Sequence, residues 1–245
     1  MTASETRDVC IVGAGPAGLM AGIFTARAGL DTLVVSAGES ILRRNAHLEN
    51  VPGFPAGVNS RLFLDLLEAQ ADRNDCDRSE GTVERIETAG EGLVVERADG
   101  TTVETEYVIC TSWADSDYLQ GIERVELLDR GSKTYVDVDE QGFTGVGGLY
   151  AAGRLAGARH QTVVAAGDGA DVGLAVIEDS DRPFYHDWVA PAGYFTGRDR
   201  EVPPGCEEID EAERRERERE SMAVMQEYFS EPHPDEPTMH PSVDQ

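Results

Sequence analysis

The residues whose types and spacing suggest chemistry are glycines. Gly13-Ala14-Gly15-Pro16-Ala17-Gly18 is a G-x-G-x-x-G loop. In such a loop the first glycine permits a tight turn and the second lets backbone N–H groups approach a pyrophosphate. The third lets a helix pack closely on a strand. Pro16 and Ala17 stand where that helix begins, so its positive N-terminal end would face the phosphates. The alternative is a glycine turn that holds no ligand. About twenty residues on, a dinucleotide site calls for an Asp or Glu to hold a ribose hydroxyl. Ser36 stands there instead, followed by Glu39. Ser36 with Arg43 and Arg44 suits a 2′-phosphate, the NADP arrangement, unless those arginines belong only to a solvated loop.

Little else in the sequence points to a reacting group. No acid–base pair or activated nucleophile has a convincing spacing, so catalytic residues are not assigned. His160 is the one histidine beside a motif. Cys10, Cys76, Cys110 and Cys206 lie far apart, with no C-x-x-C and no zinc-type spacing. No metal site is expected. Cys10 and Cys110 fall in apolar runs, where buried and inert thiols are expected.

The elements that must hold these residues follow from local pattern. Residues 7–13 predict a buried strand, residues 15–28 a helix closed by Gly29, and residues 31–36 a second strand. That is a βαβ unit with a right-handed crossover. Residues 37–56 carry loop signals, and Asn59 or Ser60 caps a helix running to about residue 75. Residues 82–111 predict a β-meander turning at Asp99-Gly100, with residues 107–111 returning to the parallel sheet. Residues 113–147 give no clear pattern. Residues 149–152 predict a short strand and residues 162–177 a helix. After residue 181 the character changes. An aromatic, Pro- and Gly-rich stretch leads to a charged helix over 207–229, with Glu213–Arg217 and Glu211–Arg215 at i,i+4 and an apolar stripe of Met222, Met225 and Phe229. A loose tail follows over 230–245.

The chain has 245 residues and a formal net charge of −26. Such a charge excludes nucleic acid and an anionic membrane surface as partners. Of the 21 cations, Lys133 is the only lysine. An acidic chain almost without lysine resembles the proteins of extreme halophiles, where a Debye length of ~3 Å at molar salt removes like-charge repulsion. The rival reading is a basic partner met by an acidic face. The N-terminus has no cationic segment leading into an apolar run, and the uncharged stretch 9–26 is broken by glycines and a proline, so neither a signal peptide nor a membrane span is expected. A reduced, cytoplasmic setting is expected.

Four blocks in fixed order then carry a resemblance: the glycine loop at 12–19; Glu49-Asn50-Val51-Pro52-Gly53-Phe54-Pro55; Gly148-Leu149-Tyr150-Ala151-Ala152-Gly153; and the run from His160-Gln161-Thr162 to Asp168-Gly169. Together they resemble the low-molecular-weight thioredoxin reductase family of FAD-dependent pyridine nucleotide–disulfide oxidoreductases, over the FAD-binding half at roughly 7–112 and 143–180. The resemblance implies an α/β, Rossmann-like FAD-binding domain with a parallel sheet and an inserted β-meander, here over 1–181. A C-terminal extension with an acidic helix occupies 182–245. It also implies that Gly13, Gly15, Pro16, Ala17 and Gly18 hold the FAD pyrophosphate and that Asn50 lies beside the flavin. Gly153 would end the strand carrying a second flavin contact. His160, Gln161 and Thr162 would meet the isoalloxazine edge, with the following helix aiming its dipole at the ring.

The chain also departs from that family. Only some thirty residues separate Thr111 from Gly145, where the family inserts an NADPH-binding domain, and a separate domain rarely has fewer than ~50 residues. The family's C-x-x-C, in that domain, has no counterpart. Ser36 replaces an acid, Glu39-Ser40-Ile41 replaces Gly-Gly-Gln, Cys110-Thr111-Ser112 replaces the ATG-like triplet, and Arg154 replaces the Asp that follows Gly153. Three functions follow as expectations. The first is an FAD-dependent oxidoreductase that takes electrons from a separate donor or redox protein. The second is a non-catalytic relative that binds nucleotide or a partner, and the third is a single-domain NADP-binding oxidoreductase. The aromatic stretch 184–195 is expected to cover the flavin face or the core edge, or to bury a homodimer interface.

Overall fold

The computed structural model describes residues 4–113, 115–131, 133–240 and 242–243. The expected βαβ unit is present as β1 (Ser4–Val12), α1 (Pro16–Arg27) and β2 (Thr32–Ser36). α2 (Ser60–Asp72) starts at Asn59, whose side-chain oxygen accepts from the Arg61 and Leu62 N–H groups. Then come β3 (Asp77–Glu80), β4 (Val83–Ala89), β5 (Gly92–Arg97) and β6 (Thr102–Cys110). β6 is one long strand, so the meander and its return to the parallel sheet are a single element.

The main sheet runs β3-β2-β1-β6-β5-β4. β1 is parallel to β2 and β6, whereas β5 is antiparallel to both β4 and β6. Beyond β6 come the hairpin of β7 (Leu127–Asp129) and β8 (Thr134–Val136), then β9 (Leu149–Ala151), parallel to the end of β6. α3 (Thr162–Asp179) follows.

Alternation along the strands divides the core into two layers. On one face Val9, Ile11, Val34 and Ile109 pack with Leu19, Ile23, Leu64, Leu67, Val172 and Val176 of the helices. On the other, Cys10, Val12, Leu33, Val35 and Cys110 meet Leu93, Val95, Leu119, Val136 and Leu155. The inner segments 9–12 of β1, 32–35 of β2 and 108–110 of β6 thus have both faces covered, which is why they read as continuous apolar runs.

The C-terminal region holds β10 (Trp188–Pro191) and β11 (Cys206–Ile209), paired in parallel, and α4 (Glu211–Tyr228). The charged helix therefore starts later than its charge pattern predicts. Asp210 caps it by accepting from the Glu213 N–H at 2.9 Å, which leaves residues 207–209 to the strand. The predicted pairs Glu213–Arg217 and Glu211–Arg215 form at 2.6 and 2.5 Å. Met222 and Met225 stay exposed, while Phe229 stacks on Phe54 with centroids 6.1 Å apart. Of the predicted tail, residues 241, 244 and 245 lie outside the described residues, as do residues 1–3. Among the described residues no helix is long and apolar enough to cross a membrane.

Candidate functional site

A cleft of about 920 Å³ opens where β1, β2 and β6 end and α1 and α3 begin. This is where parallel α/β sheets place their ligands. The glycine loop forms its floor. Gly13 has φ +113 and donates its N–H to the Val35 carbonyl at 2.8 Å. A Cβ on Gly18 would lie 1.9 Å from the Gly13 oxygen, so only glycine lets α1 start this close to β1. Thr111 braces the turn, with Oγ1 2.9 Å from both the Val12 and Gly13 carbonyl oxygens. A Cβ on Gly15 would meet only Ser40 Oγ, at 3.7 Å, so that position is open. The first turn of α1 carries no acidic residue, and Pro16 starts it. The N–H groups at the helix start are left for an anion.

The other wall brings together residues far apart in sequence. Asn50 donates from Nδ2 to Gln161 Oε1 at 2.6 Å. Gln161 precedes α3 but makes no side-chain cap bond there, so its amide serves the cleft rather than the helix. Thr162 opens α3, whose first turn is likewise free of acidic residues. Two helix N-termini therefore converge on one cleft. Their approach depends on Gly169, where a Cβ would lie 2.0 Å from the Ala17 oxygen.

Gly13, Gly15, Pro16, Ala17, Ser36, Asn50, Arg154, His160, Gln161 and Thr162 all line the cleft, as does Glu39. Gly18 and Gly153 do not. Gly18 is a packing position, and the Gly153 N–H donates to Asp168 Oδ2 at 2.5 Å. Burial raises the Asp168 carboxyl above its ordinary range, and the nearby Asp171 adds to this, while the Gly153 N–H pulls it down. Arg44 lines the cleft, but Arg43 does not. Arg43 pairs with Asp65 at 2.9 Å and Glu68 at 3.7 Å on α2, which removes half of the expected 2′-phosphate cradle.

Arg154 is held by Tyr135. Its Nη2 donates to the Tyr135 hydroxyl at 2.6 Å, Nη1 donates to the Ala158 carbonyl at 3.0 Å, and the guanidinium lies 5.0 Å over the Tyr135 ring. Its charge stays at the cleft without a carboxylate partner among the described residues. Sequence reasoning missed Trp113, which lines the cleft with φ +64 and meets the His160 ring edge-on at 4.5 Å. Lys133 Nζ lies 4.5 Å from the Trp113 ring centre. Being the only lysine was the signal that could have drawn attention to this contact. Partial burial lowers the His160 pKa, and the cations of Arg154 and Lys133 lower it further, which favours a neutral ring at the cleft.

The aromatic stretch 184–195 supplies no lining residue. α3 runs from Thr162 at the cleft to Asp179 and delivers the chain elsewhere. There Phe184 packs on the helix-side core and Phe195 is buried, while Tyr185, Trp188, Val189 and Tyr194 stay exposed, so the stretch lies away from the cleft and only Phe184 covers the core edge. Cys10 and Cys110 are fully buried, and burial pushes both thiols up to about 12. These values agree with inert packing residues.

A family model described as an FAD binding domain matches residues 6–49. The chain is 35% identical over 113 residues to the thioredoxin reductase of Streptomyces coelicolor, a match covering 44% of this chain and 35% of that protein. It is 32% identical over 147 residues to the bifunctional thioredoxin reductase/thioredoxin of Mycobacterium leprae, covering 59% of this chain and 32% of the other. The chain thus spans about a third of the length of the curated relatives it matches. Among solved structures, the thioredoxin reductase from Streptococcus pyogenes superposes with a TM-score of 0.65 at 13% identity, covering 72% of this chain and 98% of that one. The thioredoxin reductase from Gloeobacter violaceus gives 0.59 at 17% identity, covering 74% and 99%. The chain is thus similar in sequence to thioredoxin reductases over part of its length and shares their α/β fold, with residues 6–49 matching an FAD-binding domain.

Proposed function

We propose that the cleft binds FAD and that the chain acts as a flavin-dependent oxidoreductase supplied with electrons by a separate donor. The observation that carries this reading is the Asn50–Gln161 hydrogen bond, which ties two distant loops together across a cleft fed by two helix N-termini. The residues fit the group. Gly13, Gly15 and the start of α1 form a cradle for a pyrophosphate. Ser36 and Glu39 offer oxygens to a ribose, with Glu39 taking the place of the missing acid. Asn50, His160, Gln161 and Thr162 would orient the ring, and the start of α3 would favour negative charge on it. When bound, FAD would supply one- or two-electron transfer.

The separate donor is inferred from what stands between β6 and β9. Residues 111–148 hold a short 3₁₀ turn and the β7–β8 hairpin, and the sequence contains no C-x-x-C. A domain division at about residue 181 and a salt-rich cytoplasm are part of the same proposal. The test is an absorbance spectrum of protein purified in high salt, followed by anaerobic addition of NADPH. Flavin bands released on denaturation, with little bleaching by NADPH alone, are the expected result. Rapid bleaching by NADPH would remove the need for a donor. A colourless protein that takes up no added FAD would favour the second reading, a non-catalytic nucleotide- or partner-binding relative, which Ser36 and Arg154 support. NADP as the resident nucleotide is left with Ser36 and Arg44 only.

A further inference from the structure

The tail beyond α4 carries a short repeat, His233-Pro234-Asp235 and His240-Pro241-Ser242. In both, the backbone N–H two residues on donates to the histidine Nδ1, at 3.0 Å from Asp235 and 3.2 Å from Ser242, and the Ser242 hydroxyl also lies 2.7 Å from the His240 Nδ1, where it can donate as well. An imidazole whose Nδ1 accepts carries its proton on Nε2 when neutral, and Nε2 then becomes a donor aimed away from the tail. The first copy shows what that donor does. His233 Nε2 donates to Asp65 Oδ2 at 2.9 Å, and its side chain is only 7% exposed. Asp65 is held in turn by Arg43. Together with the Phe229–Phe54 stack, this contact fixes the tail across α2.

The second copy ends at the mouth of the cleft. His240 lines it, and its Nε2 has no partner among the described residues. We propose, on the footing of the FAD reading, that His240 is a ligand-binding residue whose Nε2–H donates to an oxygen of the bound dinucleotide, with His233 as the positioning residue that anchors the tail. The extension beyond the resembling half of the chain is then part of the nucleotide site.

The test uses the full chain and FAD itself, titrated by quenching of flavin fluorescence and by its dissociation rate. His240→Ala should weaken FAD binding roughly tenfold, about 1.4 kcal/mol. His240→Gln, which keeps a donor, should recover most of that loss. His233→Ala, with His240 itself unchanged, should speed FAD release because the tail loses its anchor on Asp65. Met222→Ala, on the exposed face of α4, should bind FAD as the parent does. A second readout needs no activity: bound FAD should slow trimming of the tail by carboxypeptidase, and this protection should be lost in His240→Ala. Unchanged FAD affinity in His240→Ala, with an unchanged melting temperature, would overturn the assignment and leave the FAD reading standing. A parent protein that takes up no FAD would overturn both.

Discussion

At the scale of single residues, the two glycines that open α1 do different work and can be separated. A methyl at residue 18 would meet the Gly13 carbonyl at 1.9 Å, backbone against backbone, with no side chain able to yield. Gly18→Ala should therefore cost about 3 kcal/mol and abolish FAD uptake through damage to the fold. A methyl at residue 15 meets only Ser40 Oγ at 3.7 Å, and Gly15 has an ordinary φ of −86. Gly15→Ala should leave stability within ~0.5 kcal/mol and still weaken FAD binding, because the methyl stands where a pyrophosphate must approach. Thermal melts alongside FAD titration check both. Equal destabilisation by the two variants would show that the loop is rigid throughout and that Gly15 has no separate role in binding. The same loop was legible in the sequence because its signal is local. The Asn50–Gln161 bond was not: the residues could be named from block resemblance, but only the fold brings positions 50 and 161 together.

At the scale of elements, legibility followed side-chain pattern. β1, β2 and β6 were readable because both sheet faces demand apolar residues. β3 was not: Asp77-Arg78-Ser79-Glu80 has no apolar residue and joins β2 through its backbone, with Arg78 held by Asp72 and Glu68. The three-residue strands of the β7–β8 hairpin are too short to show a period. β10 and β11 were hidden for another reason, since the loop between them is fixed by one carboxylate. Glu208 accepts from the N–H groups of Gly193 at 3.0 Å and Thr196 at 3.0 Å, from the Thr196 hydroxyl at 2.7 Å, and from the Phe195 N–H. Desolvation pushes the Glu208 carboxyl up, but these donors outweigh it and bring it from 4.5 down to about 2. A folded-state pKa below the unfolded one stabilises the fold at pH above the unfolded value. That contribution is lost as pH falls from 4.5 towards about 2. Trp188 reports on the loop, its ring being 4.6 Å from Tyr194 and 5.6 Å from Phe195. In a Trp113→Phe background, Trp188 fluorescence should change across that acid window. Glu208→Gln should loosen the loop already at neutral pH and remove the acid step. An acid step that survives in Glu208→Gln would assign the change to other carboxylates.

At the scale of the whole molecule, two electrostatic effects oppose each other, and salt separates them. Arg7 bridges Glu5, Asp31 and Asp77, and Arg78 bridges Glu68 and Asp72. Added salt screens such exposed pairs, each worth ~0–1 kcal/mol, and by itself would lower stability. Against them stands a surplus of 26 negative charges over 245 residues, most of it without a cation within reach. At 0.1 M salt the Debye length is ~10 Å, comparable to the spacing of surface carboxylates, so their repulsion acts on the folded state. At 1 M it is ~3 Å and the repulsion is largely gone. Because the surplus exceeds the pairs, repulsion decides the sign and stability should rise with salt. Between 0.1 and 2 M KCl the melting temperature should climb by roughly 5–10 °C, since a chain of this size gains ~2–4 °C per kcal/mol. Potassium chloride is the salt to use, because sulfate would also strengthen apolar burial and blur the cause. The effect should also be distributed, because residues 201–245 carry −10 of the −26 and the rest of the chain carries the remainder. Replacing four of the exposed glutamates of α4 by glutamine should therefore remove only a minor part of the salt dependence. A melting temperature that is flat or falls with KCl would overturn salt adaptation. The acidic face of α4 would then have to be explained by a basic partner.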